Sequence, residues 1–240
     1  MNTELKLHIR KLQNRAIFSL IAILLTFISI VFGILFLFVT YFVAIILFAI
    51  AAFCIFFLIY SKHIVKKESK EKIYNPVVFN ADHYFSFEEL INIFVNLTAD
   101  GNPLSTSEDV WFFRLSEIFG LRIVLYRTAS FNKKDYDNHK NRINKKANKE
   151  LNISQWVNRF EAIEMMRFNI VYTDTLNDEL YRFISRNAAR NLTRVEGIIN
   201  IAIIGNKIML PPIYGECDLA EISRYKDTIE FINQVLLNKE

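Results

Sequence analysis

The sequence is short of the residues that build most recognised catalytic and disulfide-bonded sites. It has six glycines and two cysteines in 240 residues, and glycine-rich phosphate loops, Gly-x-Ser-x-Gly elbows and His-Glu-x-x-His motifs are all absent. Cys54 lies in an apolar run and Cys217 near the C-terminus, so no disulfide framework is expected and a reducing compartment fits. We therefore predict no catalytic residue, no metal site and no cofactor, and an enzyme is the less favoured class.

Charged side chains are also missing from Ala16 to Tyr60, where Ile, Leu, Phe, Val and Ala dominate. A single helix of about 45 residues would be roughly 67 Å long, whereas the hydrocarbon core of a bilayer is about 30 Å thick. The run therefore predicts two spans, Ala16–Leu37 and Tyr41–Tyr60, joined by a short turn at Phe38–Thr40. A secretory signal peptide is disfavoured because its apolar core is only about 7–15 residues long.

The flanks of this run predict its orientation. Both flanks are basic, with Lys6, Arg10, Lys11 and Arg15 before the run and Lys62, Lys66, Lys67, Lys70 and Lys72 after it. The positive-inside rule then places both termini in the cytoplasm, with the hairpin in the plasma (inner) membrane. The predicted organisation is a basic N-terminus at 1–15, a transmembrane hairpin at 16–60, a charged juxtamembrane linker at 61–75 and a cytoplasmic domain at 76–240.

Small side chains recur at steps of three and four along the first span. They are Ser19, Ala22, Thr26, Ser29 and Gly33. Helices approach each other closely along such stripes in lipid. We expect this stripe to pack against the second helix of the hairpin, although a homo-oligomer or docking to another membrane protein remains open. The spans contain no ionisable residue, which argues against an ion or proton pathway.

The remaining 165 or so residues are enough to bury a core of their own, and local patterns predict an α+β domain. Strands are expected at Val77–Asn80, Leu121–Thr128 and Phe168–Thr173, and Gly205-Asn206 predicts a hairpin between Ile198–Ile204 and Lys207–Leu210. Helices are expected after a capping box at Ser86, over Ser154–Arg167, over Thr175–Glu196 and after Asp218. Two segments stay open: Val110–Glu117 as helix or strand, and Phe131–Glu150 as loop or polar helix. No internal repeat is evident.

Four arginines stand four residues apart on the long helix predicted over Thr175–Glu196. They are Arg182, Arg186, Arg190 and Arg194, and an apolar residue lies two positions before each, so the arginines would face away from the core. Guanidinium groups bind phosphate and carboxylate in fork geometry. Anionic lipid headgroups are therefore the nearest partner for a tethered domain. The alternative is a solvated helix face with intrahelical pairs such as Asp178 to Arg182.

A second basic segment follows Phe131. It carries Lys133, Lys134, Lys140, Arg142, Lys145, Lys146 and Lys149. Near an anionic leaflet each of these charges would contribute about 1 kcal/mol, and the alternative is a solubilising segment. Nucleic acid is disfavoured because only Phe131 and Tyr136 are available there for stacking. Asp135, Asp137 and His139 alternate as metal ligands would, but the surrounding lysines repel cations.

The stretch from Phe160 to Asp174, a following helix, and Ile199–Ile204, Gly205-Asn206 and Lys207–Leu210 together resemble part of a known bacterial family. The members of that family are membrane-anchored proteins of unknown function with two N-terminal transmembrane helices, and the resemblance is to their C-terminal half. It implies the topology and the fold class. It implies no site residues.

Three functions are compatible with these patterns. The first is a membrane-anchored cytoplasmic binding or scaffold domain that contacts a protein partner or anionic lipid through its basic residues. The second is an accessory subunit of a larger membrane complex, engaged through the hairpin. The third is a small membrane-tethered enzyme, for which converging carboxylates such as Asp109, Glu117 and Asp174 would be the distinguishing feature.

Overall fold

The computed structural model describes residues 3–36, 41–71, 75–97, 104–114, 122–150, 165–192 and 196–238. The chain forms two compact units, residues 1–73 with 214–223, and residues 74–213 with 224–240. Two long apolar helices make up most of the first unit, and a mixed sheet with flanking helices makes up the second. The predicted combination of a helical hairpin with a mixed α/β domain is therefore confirmed.

The first unit is built on α1, Thr3–Phe36, and α2, Tyr41–Glu71. Both helices extend beyond the predicted spans into the basic flanks, so the segment predicted as a linker is helical as far as Glu71. Each helix is long and apolar enough to cross a membrane, and only 17% of its most apolar window is buried. The predicted turn at Phe38–Thr40 lies outside the described residues.

The small-residue stripe lies on the buried side of α1. Ala22 and Ser29 are 6% and 4% exposed, and Thr26 Oγ1 donates a hydrogen bond to Ala22 O at 2.8 Å. A Cβ on Gly33 would lie 3.3 Å from the Phe48 ring of α2, so a larger residue there would require that ring to shift by a few tenths of an ångström. At Gly33 the stripe therefore contacts the second helix of the same hairpin.

Seven strands of the second unit form one sheet. They are β1 Val77–Asn80, β2 Leu104–Ser107, β3 Val110–Arg114, β4 Arg122–Arg127, β5 Met165–Tyr172, β6 Glu196–Ile204 and β7 Lys207–Leu210. The order is β1-β7-β6-β5-β4-β3-β2, in which β4, β5 and β6 are parallel and the other pairings are antiparallel. The carboxyl ends of β4, β5 and β6 therefore share one edge of the sheet, called here the carboxyl edge. Their amino ends share the opposite, amino edge.

Helices cover both sides of this sheet. On one side, α4 (Lys133–Glu150) and α5 (Asp178–Ile184) pack on β-strand residues such as Val124, Tyr126 and Val171. On the other side lie α3 (Phe87–Leu97) and α6 (Leu219–Phe231), since Phe94 contacts Phe113 and Phe231 contacts Phe168, with ring centroids 5.6 and 4.7 Å apart. The sheet is thus the middle layer of three, as burial of both of its faces requires.

Several local sequence signals are confirmed by the structure. Glu89 N donates to Ser86 Oγ at 3.0 Å and Ser86 N donates to Glu89 Oε2 at 3.3 Å, which is the reciprocal capping box expected before α3. The same exchange joins Asp218 and Glu221 at the start of α6, at 2.8 Å in each direction. Gly205 adopts a φ of 61°, which the first residue of this tight hairpin turn needs and glycine adopts without strain.

For each of the two segments left open by the sequence, the structure shows one of the two predicted secondary structures. Residues 110–114 form strand β3, because neighbours Phe112 and Phe113 are both buried, on opposite sides of a sheet that is covered on both faces. The lysine-rich segment is the helix α4, with Tyr136 and Ile143 on its buried side. Most of the helix predicted over Ser154–Arg167 lies outside the described part of the chain, and the last three residues of that prediction, 165–167, are wrong because they begin strand β5.

The prediction of one long helix over Thr175–Glu196 is wrong. Helix α5 ends at Ile184, and a short 3-10 helix, Ala188–Asn191, follows before β6 begins. Polar groups compete for the backbone here, since Ser185 Oγ donates to Tyr181 O at 2.7 Å and the side chain of Asn187 accepts from Ala189 N at 3.2 Å. Ala188 N donates instead to Pro212 O at 2.9 Å, a partner that a continuous helix would not reach.

Candidate functional site

The first basic patch is the outer face of α4. Lys134, Arg142, Lys145 and Lys146 are exposed on it. Lys133 is half-buried, and its ammonium group pairs with Asp137 one turn further along the helix. The lysine segment thus presents a basic helical face, which we call the α4 patch.

The second basic patch comes from the arginines predicted on one helix. Arg182 lies on α5, Arg186 in the turn after it and Arg190 in the 3-10 helix, and all three are exposed; Arg194 is outside the described residues. They do not form a ladder on one helix face, because the helix ends between the first and the second of them. Within the described part of the chain, no ion pair involves these three side chains, and the expected pair of Asp178 with Arg182 is absent there.

The two patches lie on the same side of the sheet but over different strands. Helix α4 contacts β2 and β3, whereas α5 contacts β6, and the two helices also contact each other. The two patches are therefore carried by neighbouring helices.

The arginine patch lies where the chain from α2 enters the domain. Asn75 follows the end of α2 by four positions, and its Oδ1 accepts a hydrogen bond from Tyr181 Oη of α5 at 2.7 Å. Strand β1 then starts at the amino edge, where Val77 pairs with Leu210. The two prolines after Leu210 include Pro212, whose carbonyl accepts from Ala188 N at 2.9 Å. We call this region, with Arg182, Arg186 and Arg190, the arginine corner.

The structure reveals an internal repeat that the sequence analysis missed. Strands β4 and β5 pair in parallel, with Arg122 opposite Arg167. When the sequence is aligned with itself at this offset of 45 residues, two similar stretches coincide. Residues 122–136 and 167–181 share the pattern Arg-x5-Thr-x-(Ser/Thr)-(Phe/Leu)-Asn-x3-Tyr, in which x is any residue. A comparison of the chain with itself at that offset would have found the pattern. Each copy is a strand, a loop and a helix start.

The two copies are joined at the carboxyl edge by Asn177. Its Oδ1 accepts from Leu180 N at 2.8 Å, which caps α5, while its Nδ2 donates to Phe131 O at 2.8 Å and to Ser130 Oγ at 3.1 Å in the other copy. The equivalent Asn132 caps α4 through Lys134 N at 2.9 Å. Among the described residues, the side chain of Asn132 bonds only within its own copy, whereas that of Asn177 serves both loops.

The tyrosines that end the two copies differ in their surroundings. Tyr181 Oη donates to Asn75, whereas Tyr136 Oη has no hydrogen-bond partner among the described residues and is buried between Phe131 and Phe183. Burial raises the pKa of Tyr136, and the charge of Asp137 adds to that rise, so the hydroxyl stays neutral. A buried hydroxyl without a partner destabilises the fold by about 1–3 kcal/mol.

We expect Tyr136→Phe to leave the free energy of unfolding unchanged or to raise it by about 1–2 kcal/mol, because the substitution removes the unpaired hydroxyl and keeps the ring. Tyr181→Phe is the matched variant at the equivalent position. It should lower stability by about 0.5–1.5 kcal/mol, since it removes the bond to Asn75. Native-state hydrogen exchange of the full-length protein in micelles measures both changes, and a clear loss for Tyr136→Phe would contradict this account of its hydroxyl.

The structure describes two of the three carboxylates named for the enzyme hypothesis. Asp109 precedes β3 and its carbonyl accepts from Arg127 N at 2.7 Å, while Asp174 follows β5, so both lie at the carboxyl edge. Glu117 is outside the described residues. Burial raises the pKa of Tyr172 at this edge, and the charge of Asp174 raises it further. The sheet thus brings two of the three to one edge.

Two further groups considered in the sequence have structural roles. On helix α4, Asp137 pairs with Lys133, and the His139 ring lies against the Tyr126 ring with centroids 5.7 Å apart. Among the described residues, no group of three His, Cys, Asp or Glu is placed to hold a metal ion. Burial, followed by the charges of Glu221 and Asp218, raises the pKa of Cys217 to about 12, so it is a thiol at neutral pH.

Comparison with protein-family models, with curated proteins and with solved structures finds no match to this chain. The resemblance to a two-helix membrane-anchored family therefore stays a prediction. The features of the chain that bear on function are the hairpin, the two basic patches and the carboxyl edge.

Proposed function

We propose that this protein is a two-pass membrane-anchored binding module whose sheet domain lies in the cytoplasm and contacts an anionic surface through its exposed basic residues. Helices α1 and α2 form the anchor, and the α4 patch and the arginine corner form the contact surfaces. The observation that carries the proposal is the combination of two long helices whose large apolar side chains are mostly exposed with a domain on which Arg182, Arg186 and Arg190 are exposed and form no ion pair with the described residues.

The exposure of α1 and α2 supports the anchor. A core helix of a soluble protein buries its apolar surface inside the protein, whereas only 17% of each apolar window is buried here. Fully burying one Leu, Ile or Phe side chain contributes about 1.5–3 kcal/mol, and the outward faces carry many such side chains, among them Phe27, Ile45 and Phe53. A bilayer is the solvent that would bury all of them at once.

The anchor makes weak electrostatic contacts effective. Each basic residue near an anionic leaflet contributes about 1 kcal/mol, which is too little to recruit a free domain with few such residues. Tethering replaces that recruitment step with an intramolecular one at high effective concentration. The exposed cations of the domain can therefore act in this protein although they are few.

The topology is tested with single cysteines at Asn14 and Asp82 in a chain that lacks Cys54 and Cys217. We expect the protein to resist extraction at alkaline pH, and both positions to react with a membrane-impermeant maleimide only after the cells are permeabilised. Labelling of either position from outside, or release of the protein at alkaline pH, would refute the anchored cytoplasmic arrangement.

The anionic contact is tested by hydrogen exchange of the full-length protein in nanodiscs. Nanodiscs with phosphatidylglycerol should slow exchange in α4 or in residues 180–192 relative to nanodiscs of phosphatidylcholine alone, and high salt should remove the difference. Identical exchange throughout the domain in both lipids would contradict the proposal. A stoichiometric acidic protein that co-purifies in mild detergent and protects the same residues would identify a protein as the anionic surface.

The accessory-subunit hypothesis stays a prediction. Gly33 of the small-residue stripe lies against Phe48 of α2, so a contact with another membrane protein would use the outward face of the hairpin. That face carries large apolar side chains, Phe18, Phe27, Phe53 and Phe56 among them. Purification in mild detergent separates this hypothesis from the first, because it requires a stoichiometric membrane partner.

A further inference from the structure

Two arginines lie side by side at the amino ends of β4 and β5. Arg122 and Arg167 are directly paired in the parallel ladder, on strands about 4.8 Å apart. They lie an even number of residues from Val124 and Val171, which belong to the core beneath α4 and α5, so both side chains are on that face of the sheet. In the adjacent ladder Arg122 is paired with Arg114 of β3. Arginine positions therefore occupy neighbouring strands at one level of the sheet.

Two asparagines lie on the same face, one step further into the sheet. Asn169 and Asn200 are paired on β5 and β6, and they are 2% and 9% exposed. Asn169 Nδ2 donates a hydrogen bond to Asn200 Oδ1 at 2.9 Å, and the N–H donors of the Asn200 amide are not used by this bond. We call Arg122, Arg167, Asn169 and Asn200 the Arg-Asn cluster. It places two guanidinium groups beside an amide donor within the domain.

The cluster concentrates positive charge where the strands supply little negative charge. Arg122 is only 7% exposed. Directly paired like charges destabilise a sheet, and a buried charge costs free energy unless an opposite charge or hydrogen-bond partners accompany it. Along β3, β4, β5 and β6 the sequence has a single acidic residue, Glu196 at the start of β6. An anion beside the cluster would offset both costs.

Contacts within the protein leave donors for such an anion. Both arginines of the cluster interact with other groups of the chain. A guanidinium group has five N–H donors, and a bidentate carboxylate uses only two of them. The anion would therefore be an additional partner of these side chains and would not replace the contacts that they already make.

We infer that the Arg-Asn cluster binds a phosphate group of a small soluble ligand. The inference goes beyond the proposed function, which uses only the exposed basic residues of the domain, and it does not depend on it.

The chemistry and the burial of the cluster favour this ligand. The planar fork of a guanidinium group matches two oxygens of a phosphate, which an ammonium group does not do. Arg167 and its paired residue Ile198 are partly exposed, so solvent reaches the cluster from its β5–β6 end. Arg122 and both asparagines are buried, so an extended anionic surface such as a bilayer does not reach them. A small anion is the ligand that fits this combination.

The site is tested by hydrogen exchange of the full-length protein in micelles, with pyrophosphate as the probe. A ligand that binds only the folded state slows exchange of the amides that open by global unfolding. We expect pyrophosphate at about 100 times its dissociation constant to slow the central amides of β4, β5 and β6 about 100-fold. Sodium chloride at equal ionic strength is the reference, and titration calorimetry measures the dissociation constant.

Two substitutions locate the site. Arg167→Lys keeps the charge but removes the fork, so it should weaken pyrophosphate binding about tenfold or more. Asn200→Asp keeps the oxygen that accepts from Asn169 and adds negative charge beside the arginines, so this variant should fold and should bind more weakly still. Arg142→Lys on the exposed face of α4 is the matched control and should leave the affinity unchanged.

The other outcomes contradict the inference. No slowing by pyrophosphate, or equal slowing by chloride, would overturn it. Binding that survives both Arg167→Lys and Asn200→Asp, in variants with unchanged far-ultraviolet circular dichroism, would place the anion elsewhere. Arg167-dependent slowing in nanodiscs with phosphatidylglycerol, without any response to pyrophosphate, would make a lipid headgroup the ligand and the soluble ligand wrong. The topology and the surface contact of the proposed function are tested separately and stand in each case.

Discussion

Replacing Phe183 with alanine is expected to lower the free energy of unfolding of the sheet domain by about 3–5 kcal/mol, as truncation of a buried phenylalanine usually does. Phe183 is 6% exposed, and its ring centroid lies 5.0 Å from that of Phe131 and 5.2 Å from that of Tyr136. These contacts join α5 to α4 over the sheet. Without the ring, a cavity forms between the two helices and the aromatic pairs are lost.

Hydrogen exchange of β5 and β6 amides in the full-length protein measures this loss, because those strands are buried at the centre of the sheet. Phe183→Leu is the control, since it keeps most of the apolar volume and should lower stability by only about 1–1.5 kcal/mol. A change below about 1 kcal/mol for the alanine variant would mean that α5 is not held to the sheet through this ring.

Asn177→Ala is expected to lower the free energy of unfolding by about 2–4 kcal/mol. The substitution removes the cap of α5, which contributes about 0.5–2 kcal/mol, and two further hydrogen bonds at about 0.5–1.5 kcal/mol each. Phe131 O then loses a donor at a partly buried position. Thermal unfolding followed by the fluorescence of Trp111 and Trp156 provides the measurement.

Asn132→Ala is the matched control, because Asn132 occupies the same position in the first copy of the repeat and is described only as a cap. It should lower stability by about 0.5–2 kcal/mol, less than the Asn177 variant does. Equal effects of the two substitutions would show that the bonds from Asn177 to Ser130 and Phe131 contribute nothing measurable.

Short-range signals explain what was predicted correctly. The uncharged run predicted two long apolar helices because apolarity over that length depends on composition alone. Ser86 with Glu89 predicted one helix start because the partners of a capping box lie three residues apart, and Asp218 predicted another because a cap lies next to the helix that it starts. Gly205 predicted the hairpin because a positive φ is a property of the residue itself.

Long-range partners explain what was predicted wrongly or left open. The helix over Thr175–Glu196 seemed continuous because its apolar spacing is helical, yet Ala188 N bonds to Pro212 O, a partner that local periodicity does not indicate. Residues 110–114 carry aromatic residues that suit a strand or a helix equally. Residues 110–114 form a strand because they pair with β2 on one side and with β4 on the other.

The candidate binding surface was likewise predicted in part from the sequence and in part only from the tertiary structure. The sequence by itself determined that arginines recur every four residues and that the domain follows a hairpin with basic flanks, because composition and spacing are local properties. Only the tertiary structure decided that these arginines lie on successive backbone segments, beside the residues where the chain enters the domain. That placement depends on the pairing of β1 with β7 and on the bond from Tyr181 to Asn75, which join residues more than a hundred positions apart.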